Sequence, residues 1–517
     1  MKKALLLLVT IAMFMTCLPL AGAEGTGYPY DGTNEPIRIL RVAETRAVDA
    51  GYSGWGSTPF FETWVEKSGI NAEVIEVADD AGIMLTLSAG DYSDVILIYE
   101  STYNGGLNAL IEENLAINLS EYSDYMPDYE AILDSHPSYR PYVTYQGGVR
   151  FFANLISPDN IVTRWRGMVV RQDMLDKLDM EVPTTTDEFY DLLYAMKNDL
   201  GVENPLMGNM WRDVLFYEGF AATEFGIPTA GSYQIDGEYH YGAYEEGYRG
   251  LVSYYHKLYA DGLLDPNFKT TDESTSQASL LNGTTGVHPT TGARINTISA
   301  RSEDPDFKLV GIGSLNGSDG TRAMFSQLDP LTPKRINAYV TADSKQPELA
   351  VAFFNWLYTE EGTIIANFGP EGLCFNYDEE GNPVPTEYML NNPDGMSYDN
   401  LLYALSMANG PVYVIRALSM YRFGKPEQRA AMEAWDQNDA ALYKLPPYSI
   451  NDKALADEDA ALWTDLNTYI KESMVQFVTG ELNTEEDFDA YIAQLKSMGM
   501  DRLIEIEQIA LDEYYSK

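Results

Sequence analysis

Hydrophobic and polar positions along this chain switch between a period of two and a period near 3.6, which predicts strands interleaved with helices. Ile37-Arg38-Ile39-Leu40-Arg41-Val42 alternates as a half-buried strand does. A Gly/Ser loop over 51–58 leads into a helix from Pro59 to Lys67, with Phe60, Phe61, Trp64 and Val65 on one face and Gly69 as its stop. Ala72 to Val77 predicts a second strand, Ala81 to Ser88 a short helix, and the wholly apolar Val95-Ile96-Leu97-Ile98 a third strand. Strands separated by helices point to a mostly parallel sheet. In such a sheet ligands lie beyond the carboxyl ends of the strands, where free loops and helix N-termini converge. Here those ends are Glu44–Trp55, Asp79–Asp80 and Tyr99–Gly106.

A second α/β unit begins near Asn160. Met168-Val169-Val170 predicts a strand and Met174 to Leu178 a helix. Thr185 and Glu188 have capping-box spacing, and the helix they start carries Phe189, Leu192, Leu193 and Met196 as its buried stripe. Residues 248–259 are helical with Leu251, Tyr255 and Leu258 in register. Ser279 to Val287 reads as helix end, turn and strand. Helix resumes at Pro347, Gly381 marks a hairpin between Tyr377 and Val384, and 459–478 and 485–513 are predicted as two long amphipathic helices. No fixed-period repeat or low-complexity tract interrupts this order.

The N-terminus changes the picture, because it concerns where the protein works. Lys2 and Lys3 precede an apolar run from Ala4 to Leu20, and Ala21-Gly22-Ala23 closes it with small residues. That is the plan of a secretory signal, and the run is short for a membrane span. Cleavage after Ala23 fits better than acylation at Cys17, since Met13-Phe14-Met15-Thr16 is bulkier than a lipoprotein signal before its cysteine. Residues 24–35, rich in Gly and Tyr, read as a flexible lead-in. With 34 basic against 78 acidic residues the net charge is −44. This excludes nucleic acid and anionic membrane surfaces as natural partners. Of two cysteines only Cys374 lies beyond the leader, so the exported chain folds without an internal disulfide.

Several blocks together resemble the extracellular solute-binding proteins, family 1, of bacterial ABC importers, in particular the long carbohydrate-associated members common in Firmicutes. They are Val170 to Leu178 with Val182 to Phe189, then Tyr255 to Pro266, then Pro347 to Tyr358 with Glu360-Glu361-Gly362, Gly369 to Gly372 and Tyr377 to Val384, and finally Lys444 to Phe477 with Tyr491 to Met498. The resemblance implies an α/β, two-lobed, periplasmic-binding-protein-like fold with a hinge and a ligand cleft between the lobes. It implies a monomer that captures an oligosaccharide and docks on permease subunits. It implies no cofactor, no metal and no catalysis. Hinge crossings are expected near 158–162, 331–337 and 408–412, each close to a proline. Lobe one is then 36–158 plus 337–408, and lobe two 163–330 plus 412–517.

Clefts that bind sugars set aromatic faces against the apolar side of the ring and place amides, carboxylates and guanidiniums on the hydroxyls. Trp64, Trp356, Trp435 and Trp463 sit on helical stripes and read as core. Trp55 with Tyr52 in the loop after the first strand, Tyr99 and Glu100 at the end of the third, and Trp165 between Arg164 and Arg166 are the cleft candidates. Asn209, Trp211 and Arg212 form a further group, and His288 with Thr290 follows Val287. For Trp55 the alternative is a loop anchor, for Trp211 a core residue, and for His288 a satisfied structural histidine. The arginines around Trp165 suit a hinge contact or an anionic sugar group. A secreted glycoside hydrolase and a surface sensor on the same fold are the competing functions. No G-x-S-x-G, H-E-x-x-H or Walker-type motif is present, and the four histidines lack metal-ligand spacing. Asn391 to Gly395 has calcium-like composition but reads as a polar turn.

Overall fold

The first three strands form where the alternation placed them, as β1 (Ile37–Val42), β2 (Ala72–Val77) and β3 (Val95–Ile98). The computed structural model describes residues 27–516 except 91, 100, 101, 104, 105, 161, 162, 208–214, 217, 218, 305, 306, 326–330, 333, 334, 423, 424, 437, 449 and 451. The leader with Cys17, and the candidates Glu100, Asn209, Trp211 and Arg212, therefore lie outside the described residues. β1 pairs in parallel with both β2 and β3. A fourth strand, Asn337–Val340, comes from far along the chain and pairs antiparallel to β3, Asn337 opposite Ile98. That register has a consequence for function: residues entering the fourth strand arrive at the edge where β3 leaves.

The helix Pro59–Ser68 packs behind this sheet. Thr58 caps it, its hydroxyl accepting from the Phe61 N–H, and Gly69 ends it with a left-handed φ of 65°. Trp64 stacks on Phe353 at 3.9 Å between centroids and donates its indole N–H to the Phe353 carbonyl at 3.0 Å. The helix carrying Phe353 (Pro347–Asn355) thereby joins two distant stretches of sequence in one core.

The second sheet has three strands, with Arg166–Arg171 central and antiparallel to both Val287–Thr291 and Leu309–Ile312. One face buries the stripe Phe189, Leu192, Leu193 and Met196 together with Tyr255, Leu258 and the C-terminal helices. The other face is covered by the helix Pro426–Trp435. Trp435 lies so close to Gly167 that a β-carbon there would sit 2.5 Å from the indole, and its N–H donates to the Met168 carbonyl. Only glycine fits under that ring.

Two features differ from the sequence expectation. The predicted helix over 485–513 is broken into Phe488–Ser497 and Met500–Tyr515, because Gly499 takes a φ of 99° and turns the chain. Val412, Val414 and Leu418, placed by sequence beyond the last crossing, pack in the first core. At the margin of the first core three stretches distant in sequence run side by side. The Leu155 N–H donates to the Val412 carbonyl, Ile156 to Leu331 and Ser157 to Val414, at 2.7–3.0 Å. Asn154 and Asn160 add side-chain bonds to the carbonyls of Gly410 and Val414. Asn392 to Gly395 is a polar turn in which the Asn392 side chain accepts from the N–H groups of Asp394 and Met396. Among the described residues no helix is long and apolar enough to cross a membrane.

Candidate functional site

At the carboxyl end of β1 the chain carries three charges in six residues. Arg41 is the next-to-last residue of the strand and is only 8% exposed. Glu44 caps the short helix Thr45–Asp49, its carboxylate accepting from the Arg46 N–H. The same carboxylate takes the Arg46 guanidinium in a two-pronged pair at 2.6 and 3.2 Å, and stands 4.0 Å from Arg41 Nη2. Each guanidinium also lies on an aromatic ring. Arg41 is 4.2 Å from the centroid of Trp55, and Arg46 is 4.0 Å from that of Tyr403. Burial pulls the Arg41 guanidinium below its usual range, and the Glu44 and Glu76 carboxylates oppose that pull.

Glu76, one residue before the end of β2, ties the loop down. Its two carboxylate oxygens accept from the N–H groups of Glu44 and Trp55, each at 3.1 Å. At the end of β3, Tyr99 is partly exposed, and its hydroxyl accepts from the Asn409 side-chain amide at 2.5 Å. The Asn409 side-chain carbonyl in turn accepts from Arg335 at 3.5 Å. Arg41, Glu44, Trp55, Tyr403 and Asn409 line a small recess of about 20 Å³, opening near Gly410. Its wall offers an amide, a carboxylate and cations against aromatic and apolar surface, which is the chemistry that recognises hydroxyl-rich solutes.

Trp55 lines this recess, yet it is not a free stacking face. It is 1% exposed, packed against Phe60, Phe61 and Trp64 and covered by Arg41. The turn Trp55–Ser57 and the cap at Thr58 rotate the ring inward. Tyr52 is turned away from the recess, towards Tyr388 and Cys374. On the second lobe Trp165 carries the Arg166 guanidinium 4.9 Å from its ring, and its buried indole N–H has no acceptor among the described residues. Arg164 is held by an ion pair to Asp436. His288 and Thr290 are fully buried inside a sheet strand, opposite Val169 and Gly167, and do not line the recess. Arg41, Glu44, Arg46, Arg335, Tyr403 and Asn409 were not among the sequence candidates. The alternating charges Arg41-x-x-Glu44-x-Arg46 at a strand's carboxyl end were a usable signal, as was Asn409 before Gly410 at a crossing. Tyr403 has none, since only the fold brings it near β1.

Among the described residues no group of three or more His, Cys, Asp and Glu side chains could hold a metal ion. The model of the bacterial extracellular solute-binding protein family matches residues 56–364, more than half of the chain. The chain belongs to this family. Within it, the chain is 22% identical to the fructooligosaccharide ABC transporter substrate-binding protein FusA of Streptococcus pneumoniae, over 99% of this chain and 98% of that one. It is 21% identical to the polygalacturonan/rhamnogalacturonan-binding protein YtcQ of Bacillus subtilis, over 81% and 80%. In structure it resembles the HMO-binding, ABC-transporter-associated solute-binding protein of Bifidobacterium longum infantis, with a TM-score of 0.73 at 19% identity over 94% and 100% of the two chains. The architecture is thus that of the two-lobed solute-binding proteins.

Proposed function

We propose that this solute-binding protein is the receptor of an ABC importer, and that it takes up an oligosaccharide in the cleft between its lobes. The observation that carries this reading is the small recess at the carboxyl edge of the first sheet, lined by Arg41, Glu44, Trp55, Tyr403 and Asn409, with Tyr99 bonded to Asn409 at its side. A solute held there and touched by both lobes would favour a closed arrangement, and a permease that recognises the closed form would then be loaded selectively. The names of the relatives support a carbohydrate, since FusA is named for fructo-oligosaccharides and YtcQ for polygalacturonan and rhamnogalacturonan.

On this reading the protein is a monomer, is exported with cleavage after Ala23, and carries out no turnover. The lobes are 36–158 plus 337–408 and 163–330 plus the C-terminal region, with Val412, Val414 and Leu418 packing on the first. The experiment is a thermal-shift screen of the purified protein against oligosaccharides, because a solute that binds only the folded state raises the melting temperature. A dose-dependent rise without new reducing ends supports a receptor. Hydrolysis abolished by one Asp or Glu substitution would overturn it.

A further inference from the structure

We infer that a groove beside the second core is a docking site, and that its occupant is a basic segment of a partner protein in which Lys or Arg stands beside apolar side chains. The groove has a volume of about 720 Å³, and Gln234, Ile235, Asp236, Leu442, Asp512 and Tyr515 are among the residues that line it. It shares no lining residue with the recess at β1, so the inference stands apart from the oligosaccharide reading.

The groove is built before anything enters it. Ser232–Ile235 and Glu238–Tyr241 form an antiparallel hairpin whose two-residue turn, Asp236 and Gly237, takes φ values of 51° and 88°. Both are left-handed, as a tight hairpin turn requires. On one side the Gln234 N–H donates to the Tyr443 carbonyl at 2.9 Å, and the Gln234 side-chain amide donates to the Leu442 carbonyl at 2.6 Å. On the other stands the helix Met500–Tyr515. Its Gln508 side chain accepts from the Tyr239 N–H and donates to the Gly237 carbonyl and to Asp512, at 2.7–2.9 Å. Hydrogen bonds to the backbone thus hold both walls in place.

What the walls show to solvent is largely apolar. Ile235 is 42% exposed, Leu442 67% and Tyr515 54%. Single exposed apolar side chains are ordinary, but three that converge on one groove mark an interaction site. The charge around them selects the occupant. Asp236 and Asp512 line the same groove. Carboxylates only accept and a Lys or Arg side chain only donates, so the two are complementary. A second copy of this chain would bring its own carboxylates and a net charge of −44 against the groove. A sugar would find the Gln234 amide already spent on Leu442 and Gly237, and two of the three exposed side chains without a ring face.

The test is calorimetric titration of the purified protein, at physiological ionic strength, with a short capped peptide in which Lys alternates with Leu and Phe. Its counterparts carry Glu in place of Lys, or Gly in place of Leu and Phe. The basic apolar peptide should bind, and each counterpart should bind about tenfold more weakly or worse. Leu442→Ser with Tyr515→Ser should weaken the peptide by about tenfold, and Asp236→Asn with Asp512→Asn by a similar factor. Both pairs should melt near the parent, because all four side chains are exposed. Glu379→Gln with Glu380→Gln removes the same charge from an exposed turn elsewhere and should leave binding unchanged. Equal weakening by that control, or indifference to the serine pair, would reduce the binding to general attraction by an acidic chain and overturn the proposal. Failure of the basic peptide to bind would overturn it as well. So would a neutral oligosaccharide whose binding is lost in the serine pair, or a dimer of the parent that the serine pair dissociates.

Discussion

In the first lobe, β1, β2 and β3 run in parallel and end on one edge, and the antiparallel fourth strand begins there. In the second, the central strand Arg166–Arg171 enters where its two neighbours leave. The first arrangement delivers three outgoing loops and one incoming segment to the same place, and these supply Arg41, Glu44, Glu76, Tyr99 and Arg335. The second closes its edge on itself: the Gly292 N–H donates to the Trp165 carbonyl at 2.8 Å, and Gln428 donates to Gly292. His288 and Thr290 are spent inside the sheet. The lesson is that strand direction, more than residue type, decides which edge has side chains left over for a solute.

The largest effect expected from this contrast concerns packing behind the first sheet. Trp64→Ala should lower the unfolding free energy by about 3–5 kcal/mol, measured by urea denaturation, because a fully buried indole and its stacking on Phe353 are lost. Trp55→Ala should cost a comparable amount and also release Arg41 from its platform, so affinity should fall together with stability. A Trp55→Ala protein as stable as the parent would break the claim that this ring belongs to the wall.

Next in size is Glu44→Gln. It removes the negative charge shared by Arg46 and Arg41 and one of the two acceptor oxygens, and with them about 1–2 kcal/mol of stability. The melting curve should become less sensitive to salt than that of the parent. An unchanged melting temperature would mean that the charges at the β1 edge are ornaments of the surface.

The smallest effect is expected in the second lobe, where charge serves the scaffold. Burial pushes the Asp173 carboxyl up, but its bonds to Arg171 and Lys177 outweigh that and hold it below the usual range. A depressed native pKa means stability that is complete above the unfolded value, near 3.9, and is lost as pH falls through the native one. Asp173→Asn should therefore lie about 1 kcal/mol below the parent at pH 7 and converge with it as the pH is taken below about 3. Parallel curves across that range would show that the pair contributes nothing.

Much of the scaffold was legible because it rests on periodicity. The alternation in 37–42, the apolar run 95–98 and the stripe Phe189 to Met196 each form the predicted element with the predicted face inward. The capping residue Thr185 and the stop Gly69 fixed their ends. The C-terminal break was missed because apolar spacing continues across Met498 and Met500, although Gly499 between them was the signal for a turn. The site was less legible, for two physical reasons. An aromatic residue in a Gly/Ser loop looks exposed by composition, but Trp55 precedes a helix whose face of Phe60, Phe61 and Trp64 draws the ring inward. The polar groups of the recess come from β1, the entry to the fourth strand, and residues 403–410, and no local pattern records that meeting. Of the candidates, Trp55 lines the recess as buried wall and Tyr99 reaches it only through its bond with Asn409, at the end of a buried parallel strand that sequence can mark.

The most direct test of the central claim, that the carboxyl edge of the first sheet receives the solute, is calorimetric titration of Asn409→Ala with whichever oligosaccharide binds the parent. Asn409 links Tyr99 to Arg335, lines the recess and contributes little to either core. The account predicts affinity about tenfold weaker, near 1.4 kcal/mol, with the melting temperature of the free protein nearly unchanged. Full affinity in Asn409→Ala would place the solute elsewhere and contradict it.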